Sequence, residues 1–464
     1  MTFLRMATFK ILVIFFMFES SLAKPSFLRR SRVNDSKLIV ISMDGLMFSQ
    51  VRENTMPFIA QFYKNGVHCP RLQPVFPTKT LVNHFSIATG LYAANHGVTA
   101  NEIYDNESGR LIKYSSELFM MKKDITPIWT LNELAGKHSA VSMWSAAEFE
   151  YQGKKLTYNE PFNRKTHWKQ RIDNIIPLLT RNESQVDLVM FYVEHPDFES
   201  HAFSSHSKQV TEILKDVDKM VKYFSEQLKE SGLLDKTDII LLSDHGMDTF
   251  YFNKESVDKS IINLNRVVSK ESCNMYGSSP VLQVIANDGY NQTEICNKLK
   301  DGAAQNGNYK VYANDDLDEQ NWHVRNTHRF GPCTVVAQPG FVFQDMWDML
   351  KKYTDFEKLT PESKFGCHGY DNRASSMQAV FMANGPRFRK GVEIPFMQNI
   401  DLYHLFARLL NIEELTAGLD IDGTDRRELW NQMLQKQSRN TFFSKLVSKM
   451  RSGSAKLRSK FKSA

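Results

Sequence analysis

The sequence predicts an α/β fold in which helices sandwich a mostly parallel central sheet. Short apolar segments typical of buried parallel strands recur along the chain, with helical patterns between them. The 464 residues, 42% hydrophobic and 24% charged, have the balance of an ordinary globular protein. Most of the apolar segments lead into acidic residues or histidines. Because ligands of open parallel sheets bind beyond the carboxyl ends of the strands, we expect a functional site there.

The first 23 residues predict a secretory signal peptide. Arg5 and Lys10 precede the apolar segment 11–18, and the small residues 21–23 offer a cleavage site. The apolar segment is too short to anchor the chain in a membrane, and no later segment approaches the ~20 apolar residues of a membrane-spanning helix. The C-terminus has no hydrophobic tail typical of a lipid-anchor signal. We therefore expect a secreted, extracellular protein.

The predicted strands are the segments "KLIVISMDG", "HSAVSMW", "DLVMFYVEHPD", "DIILLSDHGM" and "MQAVFMANGP". A clean apolar stripe at helical spacing between Val210 and Leu228 predicts a long amphipathic helix. Potential metal ligands stand at or near strand ends or in the glycine-flanked turn "GCHGYDN": Asp44, Asp197, His201, Asp244, His245 and His368. Any one of these residues alone would be interpreted as an ordinary polar residue at a strand end, whereas chance explains the whole set poorly.

We interpret residues 24–430 as one catalytic domain, with an irregular insertion at about 250–364. Residues 431–464 are interpreted as a basic, disordered tail, because the chain after Glu428 contains many Lys and Arg residues and no acidic residue. A weak contact of this tail with a membrane surface or a sulfated glycan is the alternative. We expect a monomer that acts on small molecules and has no role in reading nucleic acids.

The cysteines and the glycosylation motifs fit an oxidising compartment. The five cysteines leave at least one thiol free or paired between chains, and a bridge is plausible among Cys273, Cys296 and Cys333. The sequence does not determine the pairing. The N-x-S/T motifs predict glycosylation at Asn34, Asn106, Asn182 and Asn291.

Aspartates and histidines with few cysteines favour a catalytic zinc or manganese site. Two divalent cations held ~4 Å apart can clamp the attacking and leaving oxygens of a phosphoryl group. The segment "PTKTLVNHFS" supplies Thr80 as the candidate nucleophile. Asn101 and the Thr80 backbone N–H are candidate donors to the negative oxygens of the transition state.

Several motifs occur in the order seen in one known family. They are "ISMDG", "PTKTLVNHFSIATGLYAANHGVTANEIYD", "PIW", "EHPDFESH", "LLSDHGM" and "GCHGYDN…MQAVF". Over Lys37 to about Leu429 the chain resembles the catalytic domain of the ectonucleotide pyrophosphatase/phosphodiesterases, members of the alkaline phosphatase superfamily. The resemblance implies an alkaline phosphatase-like fold, a short member with the catalytic domain only, and a phospho-threonine intermediate.

The same resemblance implies two zinc ions and their ligands. One zinc would bind Asp197, His201 and His368. The other would bind Asp44, Asp244, His245 and the Thr80 hydroxyl. Asn101 also stands where the family has its oxyanion asparagine.

The chain departs from the family around its substrate-binding residues. Nucleotide-cleaving members usually carry an aromatic residue and a proline directly after the nucleophile, whereas this chain has Leu81 and Val82. The resemblance leaves Tyr158 as the second base-stacking ring and Glu148 in the family's acidic position. Stacking contributes roughly 1–3 kcal/mol per base, so affinity for nucleotides should be reduced while the chemistry is kept.

Different functions remain open. The leading hypothesis is a secreted zinc phosphodiesterase or nucleotide pyrophosphatase acting on extracellular nucleotides. A choline phosphodiesterase acting on lysophospholipids or glycerophosphodiesters is the first alternative, and it would need an acidic or aromatic cage. A catalytically silent secreted ligand-binding protein is the second. An arylsulfatase is excluded because the C/S-x-P-x-R motif is missing around Thr80.

Overall fold

The computed structural model describes residues 37–252, 260–324, 327–355, 358–360 and 362–436. The predicted signal peptide, Asn34 and the tail from residue 437 lie outside this range. Within it, no helix has the length and apolarity needed to cross a membrane.

The predicted α/β fold with a mostly parallel central sheet is confirmed. The strands are β1 (Lys37–Met43), β2 (Val67–Gln73), β3 (Ile103–Asp105), β4 (Arg110–Ile112), β5 (Ser139–Ser142), β6 (Tyr158–Glu160), β7 (Leu188–Val193), β8 (Thr237–Leu242), β9 (Asp248–Tyr251), β10 (Ile261–Ile262), β11 (Cys273–Ser278), β12 (Val281–Ala286), β13 (Tyr309–Ala313), β14 (Cys333–Ala337), β15 (Val342–Phe343), β16 (Lys364–Cys367), β17 (Ala379–Asn384), β18 (Val392–Glu393) and β19 (Met397–Gln398). The main sheet has the order β18-β2-β17-β8-β1-β7-β5-β6, with β19 also paired to β2.

Strand direction places the ends of the central strands together. β1 is parallel to β7 and to β8, and β5 is parallel to β6 and β7. β17 is antiparallel to both β8 and β2, so β2 runs in the same direction as β8. The chain segments that follow β1, β2, β5, β6, β7 and β8 therefore leave the sheet at the same edge.

Helices cover both faces of the main sheet. They are α1 (Pro57–Lys64), α2 (Thr80–Thr89), α3 (Ala93–His96), α4 (Ser116–Phe119), α5 (Ile128–Leu134), α6 (Trp168–Ile175), α7 (Asp197–Phe203), α8 (Lys208–Glu230), α9 (Gln292–Asn306), α10 (Met346–Tyr353), α11 (Leu402–Leu409) and α12 (Arg427–Met433). Successive residues of β1 face opposite cores. Leu38 and Val40 pack on the side of α2, α5 and α11, whereas Ile39 and Ile41 pack on the side of α1, α6 and α8.

Helix α8 shows how the sequence pattern produces one of these layers. The Ser207 hydroxyl caps its start by accepting a hydrogen bond from the Val210 backbone N–H at 3.2 Å. The predicted apolar stripe, including Val210 and Leu228, is buried against the sheet. The stripe residues recur every three or four positions, so one face of the helix is buried along its whole length.

The chain between β9 and β16, which form an antiparallel pair, builds a second sheet. Its strand order is β11-β12-β14-β13, all antiparallel, and it has an apolar core of its own with α9. A Cys296–Cys333 disulfide joins α9 to β14 within this core. Among the described residues Cys69, Cys273 and Cys367 are free and buried.

The fold extends past the expected end of the domain at residue 430. Helix α12 runs to Met433, whose side chain is buried, and Leu434 forms a β-bridge with Phe388. The expectation of a disordered tail from residue 431 is therefore wrong for residues 431–436. Composition identified where the acidic residues end, but apolar anchors such as Met433 determine where the packed fold ends.

Candidate active site

Loops after neighbouring strands bring three aspartates to the carboxyl edge of the main sheet. Asp44 follows β1, Asp197 begins α7 after β7, and Asp244 follows β8. The Asp197 backbone N–H donates to the Asp44 carbonyl at 3.0 Å, which ties two of these loops together. Gly45, at φ +67°, allows this approach, because a Cβ there would lie 3.1 Å from the Asp197 Cβ. The Gly45 backbone N–H in turn donates to Asp244 Oδ1 at 3.2 Å.

The three predicted histidine ligands are held in one tautomer. A backbone carbonyl can only accept a hydrogen bond, so a ring nitrogen facing it carries the hydrogen. Each histidine faces a carbonyl with Nδ1 and therefore has an unprotonated Nε2 when neutral, the arrangement common in metal-binding histidines. The Nδ1–O distances are 3.0 Å from His201 to Gly366, 2.8 Å from His245 to Gly246 and 2.8 Å from His368 to Thr78.

One group of possible ligand atoms surrounds His245 Nε2. This atom lies 3.3 Å from Asp44 Oδ1, 3.1 Å from Asp244 Oδ2 and 3.3 Å from Thr80 Oγ1. Both carboxylate oxygens are buried and have no hydrogen-bond partner among the described residues. A bound cation at this point would satisfy the facing lone pairs of these buried atoms.

A second group surrounds Asp197 Oδ1, which also lacks a hydrogen-bond partner in the described chain. It lies 3.4 Å from His201 Nε2 and 3.5 Å from His368 Nε2. The His245 and His368 rings stack with their centroids 3.6 Å apart. Donor atoms of Asp197, His245 and His368 lie within 4.8 Å of one another, so His245 stands between the two groups.

Burial and mutual charge shift the pKa values of these groups. Burial, followed by the negative charges of Asp244 and Asp197, raises the pKa of the Asp44 carboxyl well above its usual value. Burial also raises the pKa of Asp197, but His201 and His368 outweigh that effect and leave it below its usual value. Burial and the neighbouring His245 hold the pKa of His368 well below its usual value. Burial lowers the pKa of the His201 imidazole, but the Asp197 charge outweighs that effect and leaves it above its usual value. Asp197 and His201 therefore compensate each other in part, whereas Asp44 is crowded by two other carboxylates.

These observations fit a metal centre. Carboxylate oxygens without partners and imidazole nitrogens fixed by backbone carbonyls are the donor set of catalytic zinc sites. We call Asp44, Asp197, His201, Asp244, His245 and His368 the ligand cluster. The structure brings all six together, as the sequence motifs suggested.

Thr80 is the first residue of α2, and a network not foreseen from the sequence fixes its position. His84, one helical turn later, faces the Thr80 carbonyl with Nδ1 at 2.9 Å and Ser42 Oγ with Nε2 at 2.8 Å. The same Nδ1 lies 3.3 Å from Asp244 Oδ2. His84 thus connects the helix of the candidate nucleophile to β1 and to the ligand cluster. The four-residue spacing between Thr80 and His84 was the available sequence signal.

A cavity of about 400 Å³, which we call the pocket, opens beside Thr80. The predicted residues Leu81 and Glu148 line it. Its other walls include four aromatic residues that the sequence analysis did not select: Tyr114, Trp144, Phe162 and Tyr192. A depression of about 490 Å³ elsewhere on the described surface contains no member of the ligand cluster.

Direct hydrogen bonds hold several of the pocket side chains. The Tyr192 hydroxyl donates to Asp44 Oδ2 at 2.6 Å, which joins the pocket wall to the ligand cluster. The Tyr114 hydroxyl donates to Glu148 Oε1 at 2.7 Å. Tyr192 lies near the end of an apolar strand that leads into a predicted ligand loop, and that position could have identified it from the sequence.

The structure does not bring Tyr158 to the pocket. In β6 Tyr158 packs in the apolar core beneath the sheet, on the side of α6, and the pocket ring from this segment is Phe162. Asn101 lies exposed in the loop between α3 and β3, and none of the hydrogen bonds of the described residues joins it to Thr80. Thr80, Leu81 and Glu148 are thus brought together, and Tyr158 is separated from them.

This fold and site define a hydrolase of the alkaline phosphatase type, with acidic residues and histidines gathered beyond the carboxyl ends of a mostly parallel sheet. The model of the type I phosphodiesterase/nucleotide pyrophosphatase family matches residues 38–371. The chain belongs to this family.

Known relatives cover most of the chain. It is 30% identical to the human ectonucleotide pyrophosphatase/phosphodiesterase family member 5 over 382 residues, or 82% of this chain and 75% of the relative. It is 29% identical to the bis(5′-adenosyl)-triphosphatase of Xenopus laevis over 378 residues, covering 81% and 78% of the two chains. A solved structure of the murine ectonucleotide pyrophosphatase/phosphodiesterase 5, an inactive threonine-to-alanine variant in complex with AMP, superposes with a TM-score of 0.74 at 29% identity. It covers 86% of this chain and 100% of the murine one.

Proposed function

We propose that the protein is a secreted phosphodiesterase that hydrolyses phosphodiester or pyrophosphate bonds of extracellular nucleotides through Thr80. The observation that carries the proposal is the position of Thr80 Oγ1, 3.3 Å from His245 Nε2, between the ligand cluster and the pocket. The AMP bound to the murine relative and its inactivation by a threonine-to-alanine change support a nucleotide substrate and a threonine nucleophile. The name of the Xenopus relative makes bis(5′-adenosyl) triphosphate a candidate substrate.

We further propose that the ligand cluster holds two zinc ions, one with Asp197, His201 and His368 and the other with Asp44, Asp244, His245 and the Thr80 hydroxyl. His245 stands close enough to both groups to influence each of them. When bound, such ions neutralise charge on the phosphoryl oxygens and lower the pKa of a nearby hydroxyl.

The residues of the chain would carry out the rest of the reaction. The Thr80 hydroxyl loses its proton as Oγ1 attacks phosphorus, a P–Oγ bond forms, and the bond to the leaving oxygen breaks, with the proton passing to solvent or to the leaving oxygen. Water then cleaves the phospho-threonine and restores the hydroxyl. Because Thr80 is the first residue of α2, its backbone N–H has no partner within the helix and can donate to a phosphoryl oxygen, with Asn101 as the proposed second donor.

One observation favours the choline phosphodiesterase as a second candidate function. The pocket combines the Glu148 carboxylate with the rings of Tyr114, Trp144, Phe162 and Tyr192. Aromatic faces together with a carboxylate form the kind of site that binds a quaternary ammonium group. The same rings can also stack on a base, so the pocket chemistry alone accommodates either substrate.

Secretion and glycosylation remain part of the proposal. Asn182 is exposed in a turn, and Asn291 caps α9 through Oδ1, which leaves its Nδ2 available for a glycan. At Asn106, Nδ2 donates to the carbonyls of His328 and Phe330 at 3.0 and 3.2 Å. We therefore expect Asn182 and Asn291 to be glycosylated more completely than Asn106.

The test compares the p-nitrophenyl ester of AMP with p-nitrophenyl phosphocholine, using one preparation with and without a chelator. We expect hydrolysis that the chelator abolishes and zinc restores. Thr80→Ala should abolish turnover and retain most of the zinc, because the six cluster residues remain. Its control is Thr416→Ala, which removes an exposed threonine hydroxyl hydrogen-bonded to the Glu413 carbonyl.

Each outcome has a distinct meaning. Hydrolysis of only the phosphocholine ester would replace the nucleotide proposal with the second candidate. More than a few per cent of wild-type activity in Thr80→Ala would refute the nucleophile. A zinc-loaded wild type that hydrolyses neither ester would identify a silent binding protein.

A further inference from the structure

A cationic and aromatic surface lies at the mouth of the pocket. We call Phe162, Arg164 and Phe198 the rim. The Arg164 guanidinium carbon lies 4.3 Å from the centre of the Phe198 ring and 5.6 Å from that of Phe162. Both rings are unusually exposed for phenylalanine, at 41% and 53%. No carboxylate among the described residues forms an ion pair with Arg164, so its charge is available to a ligand.

The rim connects directly to the catalytic residues. The Phe162 and Tyr192 ring centres are 6.2 Å apart, and the Tyr192 hydroxyl donates to Asp44. On the other side of the rim, Phe198 follows Asp197 directly in α7. Arg164 therefore bridges the pocket wall and the segment that carries part of the ligand cluster.

The chain around Arg164 fixes its backbone. The Thr166 backbone N–H donates to the Asn163 carbonyl at 3.0 Å, and the Lys165 N–H donates to Asn163 Oδ1 at 3.1 Å. Arg164 is thus the second residue of a closed turn that starts directly after Phe162. The guanidinium is presented by a defined turn and lies over the Phe198 ring.

The volume of the pocket indicates which part of a substrate would extend to the rim. A cavity of about 400 Å³ accommodates one nucleoside-sized group, whereas a pyrophosphate or dinucleotide substrate has a second half beyond the scissile phosphorus. An arginine held between aromatic faces offers paired N–H donors to a phosphate, and the rings offer a surface for stacking.

We propose that the rim is a subsite for the leaving half of the substrate, in which Arg164 binds a phosphate of that half. The inference rests on the proposed function and deepens it, because it gives the enzyme a preference for leaving groups that carry phosphate. Arg164 acts in specificity and takes no part in forming or breaking the P–O bonds.

The test keeps the retained half constant and changes the leaving group. Bis(5′-adenosyl) triphosphate releases ADP, and the p-nitrophenyl ester of AMP releases nitrophenolate. We expect Arg164→Gln to lower the ratio of kcat/KM for the first substrate to that for the second by about fivefold, mainly through KM. Arg164→Lys, which keeps the charge and loses the planar fork, should lower the ratio less. The difference between wild type and Arg164→Gln should shrink as salt is added.

The matched control is Arg71→Gln. Arg71 is also an exposed arginine over an exposed phenylalanine, 5.8 Å from the centre of Phe396, but it belongs to β2 and lines no part of the pocket. Its replacement should leave the ratio as in the wild type. An equal loss on both substrates in Arg164→Gln would place Arg164 at the retained half and overturn the subsite. No loss on either substrate would overturn it as well. Failure of the wild type to cleave either substrate would instead refute the nucleotide function, and this subsite with it.

Discussion

The ligand cluster and the pocket meet at Thr80, but the chain builds them in different ways. Asp44, Asp244 and His368 follow strands closely, Asp197 and His201 lie in helix α7, and backbone carbonyls fix the three imidazoles. Asp44 and Asp244 are buried almost completely. The pocket is assembled from separate loops, and Glu148 and Phe162 in its walls are exposed.

Because of this difference, we expect substitutions in the ligand cluster to affect the reaction itself and substitutions in the pocket to affect substrate preference. A change in the cluster leaves a buried charge or lone pair without compensation, so few substitutions there can keep the metal centre. A change in a pocket wall alters one partly exposed contact, which contributes far less free energy. We therefore expect the family's chemistry to be retained here while the pocket departs from the family, as it does at Leu81.

The largest expected effect comes from His245, which stands between both ligand groups. His245→Ala should lower both the zinc content and kcat/KM, the latter by at least about 100-fold, because both groups lose a neighbouring donor. Zinc per chain and turnover should be measured on the same sample. His206→Ala, at an exposed histidine near the cluster in sequence, is the control and should behave as the wild type. Normal zinc content with normal turnover in His245→Ala would remove His245 from the metal centre.

The cluster was accessible to sequence analysis because its placement follows from local rules. Strands of alternating or continuous apolar residues could be recognised, and parallel neighbours necessarily end at the same edge. Asp44 after β1 and Asp244 after β8 follow from these rules alone. The sequence could not show that His245 stands between both groups, because that depends on side-chain positions set by several loops.

The pocket was less accessible because it depends on which face of a short strand each residue occupies. Tyr158 pairs with Ala140 in β6, and residues two apart in a strand share a face. Glu160 lies on the same face and pairs with Arg171 of α6, so Tyr158 also faces this helix layer. The sequence "LTYNEPF" does not indicate which face of the sheet Tyr158 occupies. Phe162 lies beyond the end of β6, and its ring lines the pocket.

An effect of intermediate size is expected for Glu148 in the pocket, where the two substrate classes should respond differently. Glu148→Gln removes a negative charge and retains an oxygen that can accept the Tyr114 hydroxyl. If the pocket binds a quaternary ammonium group, kcat/KM on the phosphocholine ester should fall about fivefold, through KM, and the nucleotide ester should change little. Glu150→Gln, at a nearby exposed carboxylate that does not line the pocket, is the control. An equal response of both esters would show that Glu148 does not discriminate between them.

The smallest expected effect concerns Leu81, where the chain lacks the family's aromatic residue. Leu81 lines the pocket directly after Thr80, so a ring at this position would lie beside the group retained on phosphorus. Leu81→Phe should lower KM for nucleotide esters several-fold, consistent with ~1 kcal/mol of added stacking, and should leave kcat nearly unchanged. An aryl phosphodiester without a base should respond little, because it presents no base to the new ring. If the pocket instead binds a choline group or alkyl chain, the bulkier ring should reduce turnover of those esters and give nucleotides no gain. That result would indicate that Leu81 contacts a choline group or an alkyl chain of a lipid substrate. It would not affect the chemistry proposed for the ligand cluster.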